Sequence, residues 1–245
     1  MEEGSWLSKF SRDAIMIHAL RRGKAGKVSI NGHKERWREI FCKREDLLTS
    51  MFWSRISYLS EDKLNRFMSH LLSNHRFDYG PLKEVDFWRR YGYSTRKIQK
   101  QVEPDLVLEF RDIDVLIEVK PPFGKGQSKE QWTQEVEAYL QSGSENKLLF
   151  LAMGNCQGNT KDWLDEFAER YPDVIFKAVS WDNVMNSLKQ SLGQSDRIAS
   201  DCICLLDCYG IRLPIKSWES LSEVIFHPLD QNGFSSLQAD NILFF

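Results

Sequence analysis

The pair Pro104-Asp105 is followed, thirteen residues after the acid, by Glu118-Val119-Lys120. Alternate side chains of a strand face the same way. Asp114, Leu116, Glu118 and Lys120 therefore share one face of Ile113–Lys120, while Ile113, Val115, Ile117 and Val119 take the apolar core face. On the preceding segment Asp105, Val107 and Glu109 share a face, and Leu106, Leu108 and Phe110 point to the core. The short turn at Arg111-Asp112 joins the segments as an antiparallel hairpin, which brings Asp105 near Glu118. Two carboxylates and an ammonium then converge on the side away from the core. Crowding there is costly unless a cation lies between the acids.

That set suits phosphodiester hydrolysis. The oxygens of Asp105 and Glu118 are hard ligands matched to Mg²⁺ or Mn²⁺, which keep several waters and take one or two carboxylates plus a substrate phosphate. The carbonyl of Val119, between two site residues, is a further oxygen donor. Lys120 can orient or deprotonate the attacking water, or stabilise the charge of the pentavalent state. A solvated hairpin face with cross-strand Glu–Lys pairs is the bland alternative.

Around this hairpin the sequence predicts a mixed α/β domain. The first eighty residues read as mainly helical. Leu48, Phe52, Ile56 and Leu59 recur at helical spacing behind Glu45 and Asp46, and Ser60 precedes a second stripe of Leu64, Phe67, Met68, Leu71 and Leu72. After Tyr79-Gly80-Pro81 the period becomes extended, and Val85–Tyr91 reads as a first strand. Ser128, with Gln131 as its capping-box partner, opens a helix carrying Trp132, Val136, Tyr139 and Leu140. Leu148–Met153 is a strand apolar on both sides. A helix near Lys161–Arg170, a strand near Val174–Val179 and a helix near Asp182–Leu192 follow. The organisation expected is a helical region at 1–80, a core at 81–192 and a C-terminal accessory subdomain at 193–245.

The pattern Pro104-Asp105…Glu118-Val119-Lys120, on adjacent strands after a helix, resembles the signature of the PD-(D/E)XK nuclease superfamily over about residues 40–155. The resemblance implies a restriction-endonuclease-like α/β core of helix, three-stranded meander, helix and strand. It implies Asp105 and Glu118 as metal ligands, Lys120 as the catalytic lysine and Mg²⁺ as cofactor, with Mn²⁺ able to substitute. An acid from the helix before the meander is supplied in such proteins, here Glu45 with Asp46 as its close rival. A glutamine follows on the next helix, here Gln134, with Gln131 as the other choice. Tyr139 stands one residue beyond the place where exonuclease-like members keep a tyrosine, and lies on the apolar stripe, where packing is its role. The activity implied is Mg²⁺-dependent cleavage of DNA, as an endonuclease and in a setting such as bacterial defence or restriction, with a homodimer or a partner subunit. The alternative is a catalytically silent nucleic-acid-binding or scaffolding subunit with the same fold.

Composition is compatible with these readings. Hydrophobic residues are 42% and charged residues 28% of 245, with eight Trp and fifteen Phe for a core. A net charge of −2 argues against a protein that merely coats nucleic acid, but a nuclease gathers acids that cancel its bases. No apolar run reaches membrane-spanning length, and the start Met1-Glu2-Glu3 lacks a signal-peptide pattern. Five cysteines without framework spacing suit a cytoplasmic protein.

Basic residues interleaved with aromatics flank the hairpin: Arg89, Arg90, Tyr91, Tyr93, Arg96, Lys97 and Lys100. In a nuclease Arg89, Arg90, Arg96 and Lys97 would hold the nucleic-acid backbone, as would Lys125 and Lys129 beside the loop Gly124-Lys125-Gly126. A second basic stretch runs from Arg21 to Lys27, with Lys34, Arg36 and Arg38 around Trp37. Both stretches can equally be solvated charged loops. No Walker pattern surrounds Gly124. Cys202, Cys204 and Cys208, separated by apolar residues, read as buried strand cysteines rather than as a zinc site.

Overall fold

The computed structural model describes residues 19–212, apart from 21, 23, 31, 74–77, 97–98, 157 and 194–195. All of these belong to one compact unit that ends at Arg212. Lys97 and residues 213–245 of the expected accessory subdomain lie outside the described residues.

The basic N-terminal stretch is not helical throughout. It contains an antiparallel hairpin, β1 (Lys27–Ile30) and β2 (His33–Arg36), turning at Gly32 with φ +82°. Three helices follow: α1 (Trp37–Phe41), α2 (Glu45–Ile56) and α3 (Glu61–Leu71). The periodic stripes predicted for α2 and α3 are buried as expected, from Leu48, Phe52 and Ile56 to Leu64, Phe67 and Met68. Ser60 occupies the N-cap of α3 in extended backbone but makes no side-chain capping bond.

Extended structure begins at β3 (Leu82–Phe87), earlier than the predicted Val85–Tyr91. Trp88 takes φ +56°, a left-handed conformation that a strand cannot propagate, so Tyr91 opens a separate hairpin of β4 (Tyr91–Ser94) and β5 (Gln99–Val102). Then come β6 (Leu106–Phe110) and β7 (Ile113–Val119), paired antiparallel with Leu106 opposite Ile117 and Glu109 opposite Asp114. Helix α4 (Lys129–Gln141) returns the chain to β8 (Lys147–Met153), parallel to β7, and α5 (Thr160–Arg170) leads to β9 (Val174–Val179), parallel to β8. Helices α6 (Trp181–Leu192) and α7 (Arg197–Cys208) complete the described unit.

The result is a five-stranded mixed sheet in the order β3-β6-β7-β8-β9, antiparallel on one side of β7 and parallel on the other. The expected order of helix, antiparallel strands, helix and parallel strand is present, with the β4–β5 hairpin inserted between the first two strands. One expectation is corrected. Every residue of β7 is buried, so the side shared by Asp114, Glu118 and Lys120 is not turned away from a core, and the alternative of a solvated face does not hold. The face they share with Val107 and Leu116 is covered by a core of Trp132, Val136, Tyr139, Phe150 and Phe167, with Tyr93 and Val102 from the hairpin. Sheet burial on both sides is what parallel crossover helices produce.

The cysteine run is also corrected. Asp196 caps α7 by accepting from the amides of Ile198 and Ala199, so Cys202, Cys204 and Cys208 lie on a helix rather than on strands. The cysteines form no disulfide among the described residues. No helix among the described residues is long and apolar enough to cross a membrane.

Candidate functional site

Asp105, at the entry to β6, faces the C-terminal end of β7. Its Oδ2 accepts from the Val119 amide at 2.8 Å, which locks the two strand ends together. A strand residue points its N–H and C=O to the same side. The Val119 carbonyl is therefore directed to the Asp105 side of β7. Glu118 is 1% exposed, and its Oε1 accepts from Lys120 Nζ and from Gln131 Nε2, the latter at 2.7 Å. Lys120 Nζ also donates to Glu45 Oε1 at 2.8 Å, which draws the first residue of α2 to the sheet. Asp46 is exposed, so of the two rival acids at this helix start Glu45 is the one brought in.

The glutamine is corrected as well. Gln134 pairs with Lys100 and with Glu130 rather than with the acids. Gln131 occupies that place: its backbone amide makes the capping bond to Ser128 Oγ at 3.3 Å, and its side chain bridges Glu118 and Glu135. Glu135 is the residue that sequence reasoning missed. It is fully buried, one turn beyond Gln131 on the same face of α4, and among the described residues its Oε2 has no hydrogen-bond partner. The i, i+4 spacing of Gln131 and Glu135 was the available signal.

A further set of contacts fixes the backbone beneath these side chains. The Lys120 amide donates to Met153 O, and the Trp181 indole donates to Lys120 O at 2.9 Å. Gln127 is buried, donates to Gly154 O at 3.1 Å and accepts from the Trp132 indole at 2.9 Å. Gly154 sits at φ +80°, and a Cβ there would lie 2.3 Å from Lys120 O and 2.2 Å from the Trp181 indole nitrogen. Only glycine fits.

The electrostatics show what the crowding does. Burial, reinforced by the Glu118 charge, pushes the Asp105 carboxyl up to about 8, despite the Val119 amide. Burial and then the Glu135 charge hold Glu118 well above the usual carboxylate range, although Lys120 pulls it down. Burial pushes Glu135 up to about 8, against the lowering by Gln131. Burial alone would lower Lys120, but Glu118 and Glu45 outweigh it and keep the ammonium charged. Four carboxyls, three of them buried, thus crowd around one ammonium, a strong incentive to take up a further cation.

Glu45, Asp105 and Glu118 fit such an ion. Each offers a carboxylate oxygen, all lie within 4.8 Å of one another, and no other such group occurs among the described residues. That spread is close to the roughly 4 Å across an octahedral Mg²⁺, and the donors are all hard oxygens. The cluster opens into a cleft of about 520 Å³ lined by Lys43, Glu45, Lys120, Phe123, Lys125 and Gln131, among others. Lys125 thus stands beside the site.

The other predicted backbone-binding residues are largely engaged elsewhere. Arg89 is half-buried and pairs with Glu84, Asp86 and Glu109. Arg90 pairs with Glu103 at 2.6 Å, and Lys129 pairs with Glu166. Arg96 is exposed.

Compared with known proteins, the chain is 24% identical over 219 residues to uncharacterized protein PM0110 of Pasteurella multocida (strain Pm70), the match covering 83% of each chain. No family model matches the chain, and no solved structure matches it.

Proposed function

We propose that this chain is a metal-dependent nuclease of the PD-(D/E)XK type, with a restriction-endonuclease-like core, that hydrolyses DNA phosphodiester bonds endonucleolytically. The observation that carries the reading is the convergence of Asp105, Glu118 and Glu45 with Lys120 at the open end of two paired strands. Glu45, Asp105 and Glu118, with the Val119 carbonyl directed to the same side, would hold Mg²⁺ or Mn²⁺. Bound there, the ion supplies Lewis-acid polarisation and neutralises charge developing on the phosphoryl group.

The chain's own groups supply the rest. Lys120 Nζ, which donates to Glu118 and Glu45, would orient the attacking water or stabilise charge developing on the phosphoryl group. Glu118 and Glu45 fix where that ammonium points, and Gln131 fixes Glu118. Gln127, Gly154 and Trp181 hold the backbone that carries Lys120, so the geometry is set before substrate arrives. The setting in defence or restriction, and a dimer or partner subunit, belong to the same proposal and rest on the family resemblance alone.

The test is cleavage of supercoiled plasmid and of single-stranded DNA with Mg²⁺, Mn²⁺ or EDTA, wild type beside Lys120→Ala. Metal-dependent cleavage that disappears in the variant is the expected result. Cleavage that survives the substitution would contradict the assignment.

A further inference from the structure

Three clefts run in series from the N-terminal hairpin to the carboxylate cluster. The first, about 430 Å³, is walled by Arg22, Lys27, Arg36 and Arg38; the second, about 550 Å³, shares Arg36 and Arg38 with it. The second in turn shares Lys43 and Phe123 with the cleft over Lys120. Their walls carry seven cationic side chains, the five just named with Lys120 and Lys125, against two carboxylates, Glu39 and Glu45. Among the described residues Arg22, Lys27, Arg36, Lys43 and Lys125 have no carboxylate within ion-pair distance, whereas Arg89, Arg90 and Lys129 are paired.

Phe123 stands at the junction of the second and third clefts with 40% of its surface exposed. Its ring lies parallel to that of Tyr209, at 5° and 6.3 Å between centroids. Tyr209 is buried and held by its hydroxyl to Phe41 O and Arg44 O. One face of Phe123 is thus backed by a fixed aromatic ring. The remaining exposed surface is a flat apolar platform beside a line of unneutralised cations. Trp37, between Arg36 and Arg38, is likewise exposed. An exposed aromatic costs hydrophobic free energy that a stacked base would recover, and a line of cations that outnumbers its acids is what a polyphosphate backbone neutralises.

We infer that this series of clefts is a track for single-stranded DNA, which runs from the β1–β2 hairpin past Lys43, stacks a base on Phe123 and delivers its backbone to Lys120. The inference rests on the nuclease reading for the identity of the cleft at its end. Stacking singles out the single strand, because a duplex keeps its base faces covered.

The experiment measures binding in EDTA, where turnover plays no part, using a fluorescently labelled oligodeoxythymidine and a duplex of equal length with the full-length protein. Wild type should bind the single strand more tightly. Arg36→Glu with Arg38→Glu should weaken binding about tenfold or more at low salt, and the salt slope should flatten by about 1–2, given ~0.7 per phosphate contact on single strands. Phe123→Ala should weaken binding by about 5- to 100-fold, while Arg89→Gln changes it less than about twofold. A 5-iodouracil oligonucleotide photocrosslinked to the wild type should form adducts at Phe123 or Trp37, a readout that depends on no variant. Unchanged binding by the double variant, equal or tighter binding of the duplex, or adducts confined to Tyr91–Lys100 would each overturn the track. If binding follows the track but Mg²⁺ elicits no cleavage, the nuclease reading fails and the track stands.

Discussion

Asp114 and Glu118 lie on the same face of the same strand, both buried, yet at the two ends of β7 they are treated in opposite ways. Asp114 accepts from the Tyr139 hydroxyl at 2.6 Å, the Asn146 amide at 2.9 Å and the Ser144 hydroxyl at 3.2 Å. All three donors are neutral and local, and they complete the acid's hydrogen-bonding needs, so that end of the strand is finished. Glu118 meets one ammonium shared with Glu45, one amide shared with Glu135, and further acids. Its end of the strand is less fully satisfied, and among the described residues Glu135 keeps an oxygen without a donor. A buried carboxylate paired by neutral donors stabilises a fold. Carboxylates crowded around too few donors do not stabilise the fold but are held there by it, as groups at a functional site are.

The largest effect on stability should come from the buttress under the Glu118 end. Gly154→Ala meets Lys120 O and the Trp181 ring and strains a positive φ, and should cost about 3 kcal/mol or more with loss of activity. Urea unfolding measures the cost, and a change below about 1 kcal/mol would mean that the contact relaxes freely. Next is Asp114→Asn, which turns an acceptor into a donor before three donors. A loss of about 2 kcal/mol is expected, with cleavage per folded molecule retained. Loss of turnover at unchanged stability would erase the distinction between the two ends.

The smallest effect of a substitution is read in the pH dependence of the metal-free protein. Unfolded carboxyls titrate near 4, while folded Asp105 and Glu135 are pushed up to about 8. Between these values the folded state keeps protons that the unfolded state releases, so stability in EDTA should fall as pH rises from about 4 to about 8. Glu135→Gln should flatten the fall and leave the variant about 1 kcal/mol more stable than wild type at pH 8. Thermal melts across that range report it, and a wild-type stability that rises with pH would refute the crowded-acid picture.

Much of this was legible from the sequence because the strand period is rigid: it placed Asp105, Glu118 and Lys120 on one side without knowledge of anything else. Glu45 came instead from the family resemblance, which implied an acid from the helix before the meander and left Asp46 as its rival. The helix after β7 was harder. Gln131, Gln134 and Glu135 all lie beside the apolar stripe of Trp132, Val136 and Tyr139, and it takes the packing of Trp132 against Phe150, Trp163 and Phe167 to show the rotation that turns Gln131 and Glu135 to Glu118. Alternation also misled about exposure. The polar residues of β7 implied a side away from the core, but Leu116 is on it too, and a crossover helix covers it. Among the basic residues, types and spacing could not show which were neutralised. Arg89 and Arg90 find acids from β3, from β6 and from the loop before β6, whereas Lys27 and Arg36 of the N-terminal hairpin have no ion pair among the described residues. For α7, the Asp196 cap was the helix signal within a run that otherwise resembled short strands.

The most direct test of the contrast between the two ends is Glu118→Gln, with single-turnover cleavage in Mg²⁺ and binding in EDTA measured on one oligonucleotide. The account predicts cleavage reduced on the order of 10²–10³-fold or more, with binding and stability kept or improved. Cleavage that persists at the wild-type rate in a folded variant would contradict it.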